Sequence, residues 1–244
     1  MKNILVEGHR GYASKYPENT LISFAAAMDL GVDAIEFDVW LSKDKVPVII
    51  HDGSCKRTCG VDDHVNNMTV SQIKSLSAHY AEKFGDQYAA RNVTIPTLEE
   101  LLKLRQAKRP DLWLGVEIKE YTEECVDETV ALLKKYGVFD MCFFYAFDAA
   151  VIQYLYTRYN ARTMGYPDFQ MRNFQPDSYA YYRELGLDLK YVRSEIFPIY
   201  KEKNLPLHMY CADNEEAARM CIEKGADLIT ANDPVPLMRV LGRL

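Results

Sequence analysis

Two histidines, three carboxylates, an arginine and a lysine fall at the ends of short apolar runs in this chain. His9-Arg10-Gly11 closes the first run, and Pro17-Glu18-Asn19-Thr20 follows at once. Glu36-Phe37-Asp38, His51-Asp52 and Glu117-Ile118-Lys119 close later runs. The set suits metal-assisted attack on a phosphate ester. Carboxylates hold a hard cation, cations neutralise phosphate oxygens, and histidines move protons near neutral pH.

Glu36 and Asp38 are two apart on an apolar strand, so they share a face. Like charges that close need a cation or a proton between them. That points to Mg²⁺ or Ca²⁺; the bland alternative is a solvated strand end paired with lysines. Glu117 and Lys119 repeat the spacing. Glu117 then completes the metal set and Lys119 meets a phosphate oxygen, the alternative being a local ion pair. Arg10 is a natural bidentate phosphate ligand, and Gly11 beside it lets backbone approach a ligand. His9 and His51 sit beside carboxylates at matching strand ends, as an acid–base pair would. His64 and His79 read as loop residues and His208 as part of the seventh strand. Asn19 suits an N-cap, or a place beside or on the ligand with Glu18. Phe147 ends the fourth strand, as an apolar wall of the site or as plain core. With no G-x-S-x-G elbow and no glycine-rich phosphate loop in the sequence, serine-hydrolase and NTPase chemistry fit poorly.

Strands must deliver these groups. Runs rich in β-branched and aromatic residues cover 4–8, 33–40, 112–118, 141–147, 162–166, 188–192, 206–211 and 227–231. Helix starts lie between them: Asn19 or Thr20, the Thr97/Glu100 capping box, Asp148, and Asp213 with Glu216. Eight strand–helix units in a chain near the ~250 residues typical of the fold predict a TIM (β/α)8 barrel. A doubly wound open sheet is second, for lack of a glycine-rich first turn. Val46-Pro47-Val48-Ile49-Ile50 reads as the return of a hairpin on strand two. That hairpin brings His51 near Glu36 or Asp38. Residues 52–96 read as an insertion after the hairpin, with one helix from Val70 to Leu76. The whole of 1–244 reads as one domain.

The 244 residues are 48% hydrophobic and 26% charged, with formal net charge −6. That balance fits a globular protein and excludes a general nucleic-acid footprint. Met1-Lys2-Asn3 runs straight into an apolar strand, which predicts no leader, and no run is apolar enough to span a bilayer. The six cysteines form no C-x-x-C pair and read as reduced thiols in a cytoplasmic protein.

The ordered set of motifs resembles the glycerophosphodiester phosphodiesterases. The likeness is carried by His9-Arg10-Gly11, Pro17-Glu18-Asn19-Thr20, Glu36-Phe37-Asp38-Val39, Val48-Ile49-Ile50-His51-Asp52, Ile95-Pro96-Thr97-Leu98-Glu99-Glu100 and Glu117-Ile118-Lys119. A weaker match runs from Gly225 to Thr230, with Asp233-Pro234. The resemblance implies a TIM barrel with a small insertion. It implies hydrolysis of a small-molecule glycerophosphodiester to glycerol 3-phosphate and an alcohol. It implies one divalent cation (Mg²⁺, Ca²⁺ or Mn²⁺) on Glu36, Asp38 and Glu117, His9 and His51 as acid and base, and Arg10 and Lys119 on the phosphate. Two stretches depart from the family. Met209-Tyr210-Cys211-Ala212 stands where a Trp-Thr-Val-Asn stretch is common, and Thr230-Ala231-Asn232-Asp233-Pro234 stands where Thr-Asp-x-Pro is common. Rival readings are a lysophospholipase-D-like or sphingomyelinase-D-like phosphodiesterase on the same barrel, or a non-catalytic phosphoglycerol-binding protein. The preferred alcohol and the oligomeric state stay open.

Overall fold

A computed structural model describes residues 3–244. Met1 and Lys2, part of the reading that no leader precedes the first strand, lie outside the described residues. Among the described residues, nine strands form the sheet: β1 (Leu5–Gly8), β2 (Ala34–Leu41), β3 (Pro47–Ile49), β4 (Trp113–Ile118), β5 (Cys142–Tyr145), β6 (Thr163–Gly165), β7 (Glu184–Asp188), β8 (Leu207–Tyr210) and β9 (Leu228–Ala231). Their order is β1-β9-β8-β7-β6-β5-β4-β2, and the β1–β2 pairing closes it. All of these pairings are parallel, so the sheet is an eight-stranded barrel. β3 is the ninth strand, antiparallel on β2 with Val39 opposite Ile49. This is the TIM barrel with the strand-two hairpin that the sequence predicts. Pro47 sits on that edge strand, where a missing N–H is tolerated.

Eleven α-helices are described: α1 (Leu21–Leu30), α2 (Lys56–Cys59), α3 (Val70–Lys74), α4 (Ala81–Phe84), α5 (Leu98–Lys108), α6 (Glu123–Lys135), α7 (Ala149–Tyr159), α8 (Leu189–Val192), α9 (Phe197–Lys201), α10 (Glu215–Lys224) and α11 (Pro234–Val240). The predicted caps are mostly present. Thr20 accepts from Ser23 N, Thr97 and Glu100 form a capping box, and Asp148 accepts from Ala150 N and Val151 N. The α10 cap is corrected: Asn214 caps it, and Asp213 is used elsewhere. Outward strand residues pack beneath the helices, as where Phe37 meets Phe24 edge-on at 6.2 Å between ring centres.

Two expectations fail on the far side of the barrel. The strand placed at 188–192 is really Glu184–Asp188, and residues 189–192 form α8. Glu184, Gly186 and Asp188 alternate with Leu185 and Leu187, so no apolar run marks this strand. Asp188 then ends it by accepting from Lys190 N. Strand–helix alternation also lapses after β6, where only the 3₁₀ turns Asp168–Gln170 and Ser178–Tyr181 lead to β7.

Residues 52–96 carry three short α-helices and two 3₁₀ turns where one helix was predicted. Cys55, Val65, Ile73, Tyr88 and Ile95 bury against Val48 and Ile50 of the hairpin in a small core of their own. Tyr88 Oη and Lys83 Nζ donate to the carbonyls of Lys15 and Ala13, which ties this segment to the first loop. Among the described residues, no helix is long and apolar enough to cross a membrane.

Candidate active site

The site is built at the C-terminal end of the barrel, where β1, β2 and β4 meet. Parallel register sets Asp38 beside Glu117 and Glu36 beside Gly115. One carboxylate oxygen from each of Glu36, Asp38 and Glu117 lies within 4.8 Å of the other two. All three residues are buried. Burial, then Asp38 and Glu117, drives the Glu36 carboxyl pKa well up. Burial likewise raises Glu117, against the pull of Lys119. For Asp38 burial also favours the neutral acid. Arg10, Lys119, His51 and a hydrogen bond from Asn19 overcome it and hold Asp38 at about 2. Glu36 Oε1 and Asp38 Oδ1 are buried with no hydrogen-bond partner.

The turn after β1 wraps this cluster. Gly11 has φ 85°, and a Cβ there would lie 2.5 Å from Ser23 Oγ, so only glycine fits. Arg10 and Asn19 also take positive φ, at 52° and 56°. That costly conformation aims both inward. Arg10 N donates to Glu36 Oε2 at 2.9 Å, and its guanidinium meets Glu18 at 2.8 Å and Asp38 at 3.4 Å. Asn19 does not cap α1; its Nδ2 donates to Asp38 Oδ2 at 2.7 Å. Lys119 Nζ reaches Glu117 at 2.9 Å, Asp38 at 3.7 Å and His51 Nε2 at 3.2 Å.

Each histidine is backed by a different partner. His9 Nδ1 faces Asn232 Oδ1 at 2.8 Å. Asn232 Nδ2 is taken by Asp213 Oδ2 at 2.8 Å, which fixes the amide with its oxygen toward His9. Nδ1 therefore carries the proton and Nε2 is left for chemistry, 3.9 Å from Glu36. Burial, then Arg10, lowers the His9 pKa to about 4. His51 Nδ1 faces a carboxylate, Asp52 Oδ1, at 2.7 Å. Arg57 holds the other Asp52 oxygen at 2.5 Å and reaches on to Glu18 at 2.9 Å. Glu18 thus joins Arg10 to Arg57.

These groups open on a cavity of about 220 Å³. His9, Arg10, Glu36, His51, Glu117, Lys119 and Phe147 all line it, so the predicted set converges. Asp38 adjoins it through the carboxylate cluster, while Glu18 and Asn19 act through the groups they hold. Phe147 is a wall, stacked on Tyr166 at 3.7 Å with Tyr210 edge-on beyond. In the stretch that departs from the family, Met209 is fully buried and its neighbour Tyr210 lines the cavity. His208 does have company: it lines the cavity, and its Nε2 lies 2.6 Å from Glu184.

Sequence reasoning missed Glu7, Tyr145, Tyr166, Thr230, Arg57, Asn232 and Asp213. Glu7 carries a signal, being two residues before His9 and so on the same face. Arg57, in an irregular segment, carries none.

A model of the glycerophosphoryl diester phosphodiesterase family matches residues 9–235. The glycerophosphodiester phosphodiesterase of Caldanaerobacter subterraneus subsp. tengcongensis is 43% identical over 115 residues, 47% of this chain and 45% of that one. That of Bacillus altitudinis is 39% identical over 111 residues, 46% of this chain and 43% of that one. The matched stretch thus spans under half the length of either relative. In fold, the chain is similar to an Oleispira antarctica phosphodiesterase solved in complex with the product sn-glycerol-3-phosphate. The TM-score is 0.84 at 23% identity, covering 98% of this chain and 96% of that one. By its family match and the motifs that converge on one cavity, the chain belongs to the glycerophosphoryl diester phosphodiesterase family.

Proposed function

We propose that this chain hydrolyses glycerophosphodiesters to glycerol 3-phosphate and an alcohol, using one divalent cation held by Glu36, Asp38 and Glu117. The observation that carries this is the meeting of three buried carboxylates, two histidines and two cations on one cavity. The donor set fits a hard cation: all oxygen, clustered, with Glu36 Oε1 and Asp38 Oδ1 buried and without a hydrogen bond. When bound, Mg²⁺, Ca²⁺ or Mn²⁺ supplies positive charge beside the phosphate oxygens. The Oleispira antarctica relative holds the same product that this reading assigns here.

The chain's own residues do the rest. Arg10 and Lys119 bind phosphate oxygens and share their charge. A carboxylate behind an imidazole supports its cation, and an amide does not. His51, backed by Asp52, therefore gives a proton to the leaving alkoxide. His9, backed by Asn232, takes one from the attacking oxygen. Residues 1–244 act as one barrel domain with 52–96 as its insertion. Six free thiols support a reducing, cytoplasmic setting. Turnover of a panel of glycerophosphodiesters with and without chelator tests the reading. Activity lost with EDTA and restored by a divalent ion is expected; full activity in excess chelator overturns the metal reading.

A further inference from the structure

A second cavity, of about 210 Å³, opens between α6 and α7, which pack side by side. Glu123 and Val126 line it from α6, and Val151 and Tyr154 from α7, each pair three apart and so on one helix face. Tyr121 and Asp148, just before the two helices, line it as well. It shares no lining residue with the catalytic cavity, and none of its lining residues is a lysine, arginine or histidine. Pockets for drug-sized ligands start at roughly 300 Å³, so the occupant here is small.

The charge of its lining is negative. Asp148 is 3% exposed. Its carboxylate accepts from Ala150 N at 2.9 Å, Val151 N at 3.4 Å and Asn173 Nδ2 at 2.7 Å, all neutral donors. Among the described residues, none forms an ion pair with it. The α7 dipole offsets part of its charge, and the exposed Glu123 adds a second carboxylate. An anion finds no donors on α7, because Ala149 N donates to the Arg172 carbonyl and the next two amides to Asp148. A cation is favoured instead. Tyr121 and Tyr154 set two rings in the same walls. Tyr154 Oη donates to Asp127 Oδ1 at 3.0 Å, which fixes its ring. Tyr121 already carries a cation, with the Arg172 guanidinium 5.4 Å from the ring centre. Rings, carboxylates and aliphatic side chains together make a cage for an organic ammonium. Asp148 accepts three of the about four hydrogen bonds a carboxylate can take, so it offers charge more than acceptor sites. A methylated ammonium suits that, whereas a primary ammonium brings three donors to satisfy.

We propose that the cavity between α6 and α7 binds a small methylated ammonium, as a site separate from the catalytic one. Its charge faces Asp148 and Glu123, and its methyl groups pack on Tyr121, Tyr154 and Val151. No residue lines both cavities, so the occupant is a molecule of its own and not the far end of a bound diester. The site does not depend on the phosphodiesterase reading.

Calorimetric titration tests the site without turnover. Choline chloride is compared with dimethylbutanol, its uncharged carbon isostere, with Mg²⁺ present so that the catalytic carboxylates are not a rival site. Wild type should bind choline roughly fivefold tighter or more, the scale of one desolvated cation–ring contact. Tyr154→Leu should weaken choline by a similar factor, and Tyr154→Phe, which keeps the ring, should restore it. Ala150→Phe, at an exposed position that lines the cavity, should obstruct it and serves if Tyr154→Leu fails to fold. Equal binding of the two probes by wild type overturns the proposal, as does ethanolamine binding more tightly than choline. So does wild-type affinity for choline in a folded Tyr154→Leu, or in Ala150→Phe where that variant has to serve. KM for glycerophosphocholine and for glycerophosphoglycerol should both be unchanged in Tyr154→Leu. A KM that rises for glycerophosphocholine alone would make the cavity part of the substrate site and overturn its separateness. Choline binding by a protein that turns over no diester sinks the hydrolase reading and leaves the site standing.

Discussion

Arg57 Nε sits 2.5 Å from Asp52 Oδ2, so a residue of the insertion fixes the carboxylate behind His51. The same guanidinium donates to Glu18, which holds Arg10. Arg57 is thus a positioning residue for a proton mover and a phosphate ligand together. Arg57→Leu should lower kcat by roughly 10–100-fold, the usual scale for such outer partners. Arg57→Lys should recover part of that loss, because it keeps the charge without the fork. Steady-state kinetics of both variants decide it; an unchanged kcat in Arg57→Leu refutes the role.

The two histidines should part company when the leaving group changes. A general acid matters for an alkoxide and little for p-nitrophenolate, which leaves without a proton. His51→Ala should cost roughly 10²–10⁴ with alkyl diesters and far less with a p-nitrophenyl diester. His9→Ala should cost a similar factor with both. The reverse pattern would exchange the two roles.

The carboxylate cluster should be visible in thermal stability as well as activity. Without a metal, Glu36→Gln fixes that position in the neutral form that burial, Asp38 and Glu117 favour, so its Tm should rise above wild type. Adding Mg²⁺ or Ca²⁺ should raise the wild-type Tm, since a ligand of the folded state stabilises it, and should raise the variant's less. Thermal melts with and without EDTA check both. Equal shifts in the two proteins would place the ion elsewhere.

Glu18 gives a pH signature. Burial favours its neutral form, but hydrogen bonds and charge from Arg57 and Arg10 bring its folded pKa below the usual 4.5. A depressed carboxyl contributes stability above its unfolded pKa and loses it as pH falls through the folded one. Wild type should therefore lose Tm below about pH 4.5, the ordinary Glu range. Glu18→Gln should be less stable at pH 7 and flatter across the acid range. Parallel pH–Tm curves for the two proteins would count against the Arg57–Glu18–Arg10 link.

The near side of the barrel was legible because its polar groups interrupt apolar strands. Glu36, Asp38, Glu117 and Lys119 stand out that way, and the short hairpin loop sets where His51 lands. The far side was not legible. β7 hides because Glu184, Gly186 and Asp188 face inward and break its apolar pattern. Which of Met209 and Tyr210 faces the cavity was not legible either, because a one-residue step in a strand exchanges cavity for core. Asn232 and Asp213 lie in loops far from His9 in sequence, and nothing local announces that they meet it.

That separation also bears on how activity arises. His9 and Asn232 are 223 residues apart, as are Glu7 and Thr230. Both pairs span the β1–β9 seam, where the first strand meets the last. An emerging chain that has made every strand but β9 holds nearly all the chemistry but lacks the support for His9 and the Thr230 side of the cavity. The site is completed by the last strand to arrive, so gain of turnover during refolding should trail gain of helix signal and track closure of that seam. Such long-range contacts are the slow ones to form.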